Sequence, residues 1–308
     1  MRDIENIFKA TANLYNRGQS HFGSCSILID LCLRRLEAEA RYRHFGLYNG
    51  AKPVTYHVFE TDAGVSRPLR PDLFISDADR LKSTQLLLVD ALKNNPANWQ
   101  DAQVKQATKV IYTSVMSFAC CIDLWKRSSR KTPGTFFEIY FAGLLPFVFS
   151  DAVLTKHIPL PGISEAEEEV VSEEESTDDE ESSSVATDLV ISRLRYDRKI
   201  VIPLKITTRE RIVQPFAHQR ILDSAFGKGI YHSFLTCMSE TQLDHKTTSV
   251  KQVCVPGTVK LFQRHLGQIS GLYYCDVPQR YAAADMVSCL PVKEIGELFR
   301  DLARFFSN

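Results

Sequence analysis

Residues 133–150 read PGTFFEIYFAGLLPFVFS, and almost every position is apolar: Phe136, Phe137, Ile139, Tyr140, Phe141, Leu144, Leu145, Phe147 and Val148. Thr132 at the cap and Pro133 at the first helical position mark a helix start. A helix that is apolar all round has to be buried on most sides, so the rest of the chain must be built around it. Glu138 is the one ionisable acid inside it. A carboxylate in such surroundings needs a cation, a metal or a raised pKa, because a lone buried charge is too costly. An ion pair with a neighbouring arginine and a role in chemistry are both open readings.

Further on, Thr187 to Leu194 and Lys199 to Thr207 are apolar runs rich in β-branched residues, separated by Arg195-Tyr196-Asp197-Arg198. They predict a β-hairpin with Asp188 near the start of one strand and Lys205 near the end of the other. On antiparallel strands those positions fall at the same end of the sheet. A lysine at a strand end, beside acids that hold a divalent metal, suits phosphodiester hydrolysis. Arg209, Glu210 and Arg211 follow at once. Each Arg can fork onto guanine and the Glu can accept from a cytosine amino group, so the cluster suits the reading of base edges. A solvated charge cluster at the end of a core strand is the plainer alternative.

Helical periodicity is expected over residues 1–45, Ala78 to Lys93, Asp101 to Trp125, Arg211 to Ser224 and Val292 to Phe306. Asn49 to Asp77, punctuated by glycine and proline, reads as irregular. Further strands are expected at Ile230 to Met238 and Leu272 to Val277. Helix, acid-bearing strand, lysine-bearing strand and helix make an α/β arrangement. The expected organisation is an N-terminal helical region, 1–130, and a catalytic core, 131–308, interrupted by an acidic disordered loop over 163–184.

The balance of 37 Lys and Arg against 37 Asp and Glu conceals an asymmetry. Eleven of those acids lie between Glu165 and Glu181 with no base among them. The remaining body carries about +11, which suits a polyanion such as DNA. The eight cysteines form no CxxC pair and read as reduced thiols rather than zinc ligands. No window approaches the apolar length of a membrane span, and the charged amino terminus is unlike a signal peptide. A cytoplasmic protein with no membrane partner is expected. Neither a Gly-x-Ser-x-Gly elbow nor a Walker A lysine motif occurs.

Asp188, the strand containing Lys205 and the upstream helix with Glu138 resemble the catalytic core of PD-(D/E)xK nucleases. The run KITTRER, followed by Gln214, is similar to one branch of the type II restriction endonucleases, the EcoRII- and SsoII-like enzymes that cut CCGG, CCNGG or CCWGG sites. In that branch Arg-Glu-Arg, or a close variant, follows the motif lysine. The match runs from Thr132 to Asp223. It implies a PD-(D/E)xK restriction-endonuclease-like fold, with a central mixed sheet flanked by helices. It also implies Mg²⁺-dependent, sequence-specific cleavage of double-stranded DNA at a palindrome containing C·G pairs. By the resemblance Lys205 is catalytic, Asp188 and Glu138 hold metal, and Arg209, Glu210 and Arg211 bind DNA. The family's proline before the aspartate is Thr187 here, and the acid two residues before the lysine is replaced by Pro203. The branch's glutamate on the following helix falls at His218, which makes His218 a catalytic and metal-ligand candidate, with Gln219 and Asp223 nearby. Cutting both strands of a palindrome with one site per subunit implies a homodimer. Pro203 and His218 motivate a second reading, a catalytically impaired DNA-binding protein on the same fold. A third is an interaction protein whose acidic tract is the working part.

Overall fold

The computed structural model describes residues 1–48, 52–126, 129, 131–161, 184–244 and 249–307, with only the backbone given for 47, 48, 209 and 210. The expected acidic loop lies outside the described residues, except that Ser184 begins a strand.

Two helices open the chain, α1 (Arg2–Asn16) and α2 (Phe22–Glu39). The amino-terminal region is not wholly helical, as the sequence had suggested. At Ala40 the backbone turns extended, and β1 (Arg41–Tyr48), β2 (Val54–Thr61) and β3 (Gly64–Val65) form an antiparallel sheet. Much of the stretch expected to be irregular is therefore strand. Cross-strand partners decide this: Tyr42 pairs with Phe59 across β1 and β2, and Tyr56 and Val58, two apart on β2, are fully buried.

Next come α3 (Ala78–Lys93) and α4 (Asp101–Trp125), separated at Asn95, whose φ of 48° ends the helical path before Pro96. By length and composition α4 is apolar enough to cross a membrane, which corrects the expectation that no window reaches that level. In the fold 89% of its most apolar window is buried, because α2, α3, α5 (Thr132–Val148) and the last helix pack around it. Burying each large side chain along α4 and α5 contributes on the order of 1.5–3 kcal/mol.

The central sheet is built from β4 (Ala152–Pro159), β5 (Ser184–Arg193), β6 (Lys199–Val201) and β7 (Leu204–Lys205). Helix α6 (Val213–Phe226) and strand β8 (Tyr231–Cys237) follow. The hairpin β9 (Thr241–Asp244) and β10 (Ser249–Gln252) then leads to α7 (Pro256–His265) and β11 (Gly271–Tyr274). The chain finishes with α8 (Ala284–Val287), β12 (Val292–Glu294) and α9 (Ile295–Phe305). Across the sheet the order is β12-β11-β8-β6-β5-β4, with β7 also pairing with β8. β4, β5 and β6 are antiparallel neighbours, whereas β6, β8, β11 and β12 run parallel, so the sheet is mixed as expected.

Alternation sorts the two faces. Leu189 and Ile191 on β5 join the core of α4, α5 and α9, while Val190 between them packs with Leu222 of α6. One continuous core runs from Ile4 to Phe306, across the boundary expected near residue 130.

Candidate active site

Between β6 and β7 the chain keeps its sheet contacts: Ile202 N–H donates to Leu189 O on β5 at 2.8 Å, and Pro203 O accepts from Thr236 N–H on β8 at 2.9 Å. The next N–H facing β5, that of Leu204, is taken by the Asp188 side chain, whose Oδ2 accepts it at 2.7 Å and the Lys205 ammonium at 2.7 Å. Asp188 and Lys205 are therefore joined, as the hairpin reading had required. Oδ1 of Asp188 accepts no hydrogen bond from the described residues.

Glu138 projects from α5 into the same place. Its Oε1 accepts the Tyr15 hydroxyl at 2.9 Å and pairs with Lys156 Nζ at 2.6 Å, so the cation beside it is a lysine from β4 rather than an arginine. Glu138, Asp188 and Lys205 line one cleft of about 690 Å³. Its walls include Arg67 and Asp123, held together bidentately at 2.7 and 2.9 Å, so the amino-terminal region contributes to the cleft. Tyr15 stays protonated, because burial first and then the Glu138 carboxylate push its pKa far up.

His218 lies on α6 in an adjoining pocket of about 170 Å³, shared with Asp188, Lys205 and Gln214. Burial, and after it the Lys205 charge, lower its pKa below 6.5, which favours neutral imidazole. Among the described residues no three of His, Cys, Asp and Glu form a metal-holding cluster. Gln219 is occupied elsewhere: it donates to Tyr231 O and Asp223 Oδ1 and accepts from Ser233 N, which fastens α6 to β8 and turns Asp223 toward it.

The Arg-Glu-Arg cluster forms a single 3-10 turn, Arg209–Ile212, leading directly into α6. Arg211 is exposed and lines the cleft, while the side chains of Arg209 and Glu210 lie outside the described residues. Thr208 anchors the turn, since its N–H and hydroxyl both donate to buried Glu240, at 3.0 and 2.5 Å, and Tyr274 donates to the same oxygen. Sequence reasoning missed Tyr15, Lys156 and Glu240. None of them stood in a pattern that marks it: Glu240 lies in the polar stretch Ser239-Glu240-Thr241-Gln242 just after β8.

Two carboxylates, each with one oxygen that accepts no hydrogen bond from the described residues, fit a hard divalent cation. Magnesium commonly takes one or two protein carboxylates, keeps several waters and shares substrate phosphate oxygens.

A Type IIP restriction endonuclease, Kpn2I, is 43% identical to this chain, covering 100% of this chain and 98% of its own, with a TM-score of 0.89. The restriction endonuclease PspGI, solved with substrate DNA, is 14% identical over 74% of this chain and 92% of its own, with a TM-score of 0.42. No protein-family model and no curated protein matches.

Proposed function

The chain belongs to the type II restriction endonucleases and is a site-specific DNA endonuclease, and we propose that it cleaves with Mg²⁺ at a palindrome containing C·G pairs. The observation that carries this reading is the arrangement of Glu138 and Asp188 on one cleft, each with one oxygen that accepts no hydrogen bond from the described residues, beside Lys205. Asp188 and Glu138 would hold the cation. When bound, it supplies Lewis-acid stabilisation of charge developing on the phosphate. Lys205 orients the attacking water and offsets charge on the scissile phosphate. His218, whose neutral form burial favours, offers a lone pair at the second pocket where the related branch has a carboxylate.

Arg209, Glu210 and Arg211 read the C·G pairs from the turn anchored by Thr208, in the manner of the enzymes that cut CCGG, CCNGG or CCWGG sites. The +11 body supports DNA as partner. With one such cleft in each chain, cutting both strands of a palindrome calls for a homodimer, acting in the cytoplasm. The test is incubation with plasmid DNA carrying such sites, with Mg²⁺ and then with EDTA. Discrete, EDTA-sensitive fragments with ends inside one palindrome are expected. A gel shift with no cleavage would overturn the catalytic assignment.

A further inference from the structure

The two oxygens of Glu138 have different surroundings. Tyr15 OH and Lys156 Nζ both approach Oε1, at 2.9 and 2.6 Å, while Oε2 accepts no hydrogen bond from the described residues. Glu138 lines the cleft but neither Tyr15 nor Lys156 does, so the carboxylate is gripped from behind. The grip is braced. The Lys156 ammonium lies over the Tyr15 ring, 4.4 Å from its centroid. The same ring packs on His21, whose Nε2 makes a 2.9 Å hydrogen bond with the carbonyl of Ile139, one residue beyond Glu138. Charge is balanced too: Asp188 faces Lys205, Glu138 faces Lys156, and the four formal charges cancel when no cation is present.

We propose that Tyr15 and Lys156 are positioning residues that set the cation affinity of the cleft from behind. Tyr15 fixes Oε1 so that Oε2 is presented to the cleft, and Lys156 neutralises the carboxylate until a cation arrives together with DNA phosphate. This rests on Glu138 being a cation ligand. A neutral donor is needed for the first role, and the Tyr15 hydroxyl supplies one, donating to Oε1 at 2.9 Å. A mobile charge is needed for the second, and Lys156 is 40% exposed on an edge strand, with room to withdraw.

The two roles have opposite signs, which makes them separable. Mn²⁺ binding to the DNA-free protein is measured by electron paramagnetic resonance for the wild type and for Glu138→Ala, Tyr15→Phe, Lys156→Met and Lys156→Arg. Tyr15→Phe should weaken Mn²⁺ binding about tenfold, the scale of losing a group that orients a metal ligand. Lys156→Met should tighten it about threefold, the scale of removing one partly exposed charge partner. Lys156→Arg should behave as wild type. In cleavage, Tyr15→Phe should raise the Mg²⁺ concentration for half-maximal rate more than it lowers the rate at saturating Mg²⁺. Weakened binding in Glu138→Ala, with Tyr15→Phe and Lys156→Met both as wild type, would overturn the clamp and leave Glu138 a ligand. Unchanged binding in Glu138→Ala would overturn both readings. Should Tyr15→Phe fail to fold, Lys156→Met decides by sign, and weaker Mn²⁺ binding there refutes the neutralising role.

Discussion

Asp188 accepts the Leu204 N–H and is proposed to hold the cation, and paired substitutions divide these two duties. Its Oδ2 is the only acceptor shown for the Leu204 N–H and the partner of Lys205, with side-chain exposures of 25% and 17%. Asp188→Ala leaves a partly buried backbone donor unpaired, at about 1–3 kcal/mol. It also breaks an ion pair intermediate between the exposed and buried cases, adding about 1 kcal/mol. The total, about 2–4 kcal/mol, is a large share of the roughly 5–15 kcal/mol that holds a typical domain. Asp188→Asn keeps a side-chain oxygen for the Leu204 N–H and loses mainly the ion pair, so its cost should be only about 1–2 kcal/mol. Urea unfolding without metal measures the difference. Cleavage should collapse in both variants, by on the order of 10²–10³-fold or more, because both lack the charge proposed to hold the cation. Equal destabilisation by Ala and Asn would refute the role of the Asp188 side-chain oxygen as the acceptor for Leu204 N–H. Wild-type cleavage by Asp188→Asn at an unchanged Mg²⁺ requirement would refute the metal role.

Lys205→Ala should abolish cleavage while cognate DNA binding in Ca²⁺ persists, read by plasmid cleavage beside gel shift; a fully active variant would remove Lys205 from the chemistry. Arg211→Ala should weaken cognate binding by about 1–3 kcal/mol and unrelated DNA much less, checked by competition binding at fixed salt. Equal losses on both DNAs would make Arg211 a phosphate contact instead. Gly296→Ala should destabilise by about 1–3 kcal/mol or more, since an added Cβ would stand 2.1 Å from the Val104 carbonyl oxygen where α9 meets α4. A denaturation midpoint equal to wild type would show that this contact gives way freely.

Composition alone determined that a buried helix starts at Thr132-Pro133, the one that the structure ends at Val148, two residues short of the apolar run. β-branched runs around a four-residue polar break determined the β5–β6 hairpin, and with it the meeting of Asp188 and Lys205 at one sheet end. Those features are legible because they depend on neighbours within one or two turns or strands. The β1–β2 pairing was not legible: its Gly and Pro punctuation resembles loop, and strand identity there comes from cross-strand partners such as Tyr42 and Phe59. Nor was the grip on Glu138. The sequence called for a cation, a metal or a raised pKa at that carboxylate, but Tyr15 lies 123 residues away along the chain and Lys156 on a strand with no pattern of its own to mark it. Gln219, next to the position that the resemblance marks on α6, is bonded to the β8 backbone. Local pattern fixes which faces must be buried. Which distant groups then meet follows from how those faces pack, and the polar groups that packing brings together must find partners wherever they land.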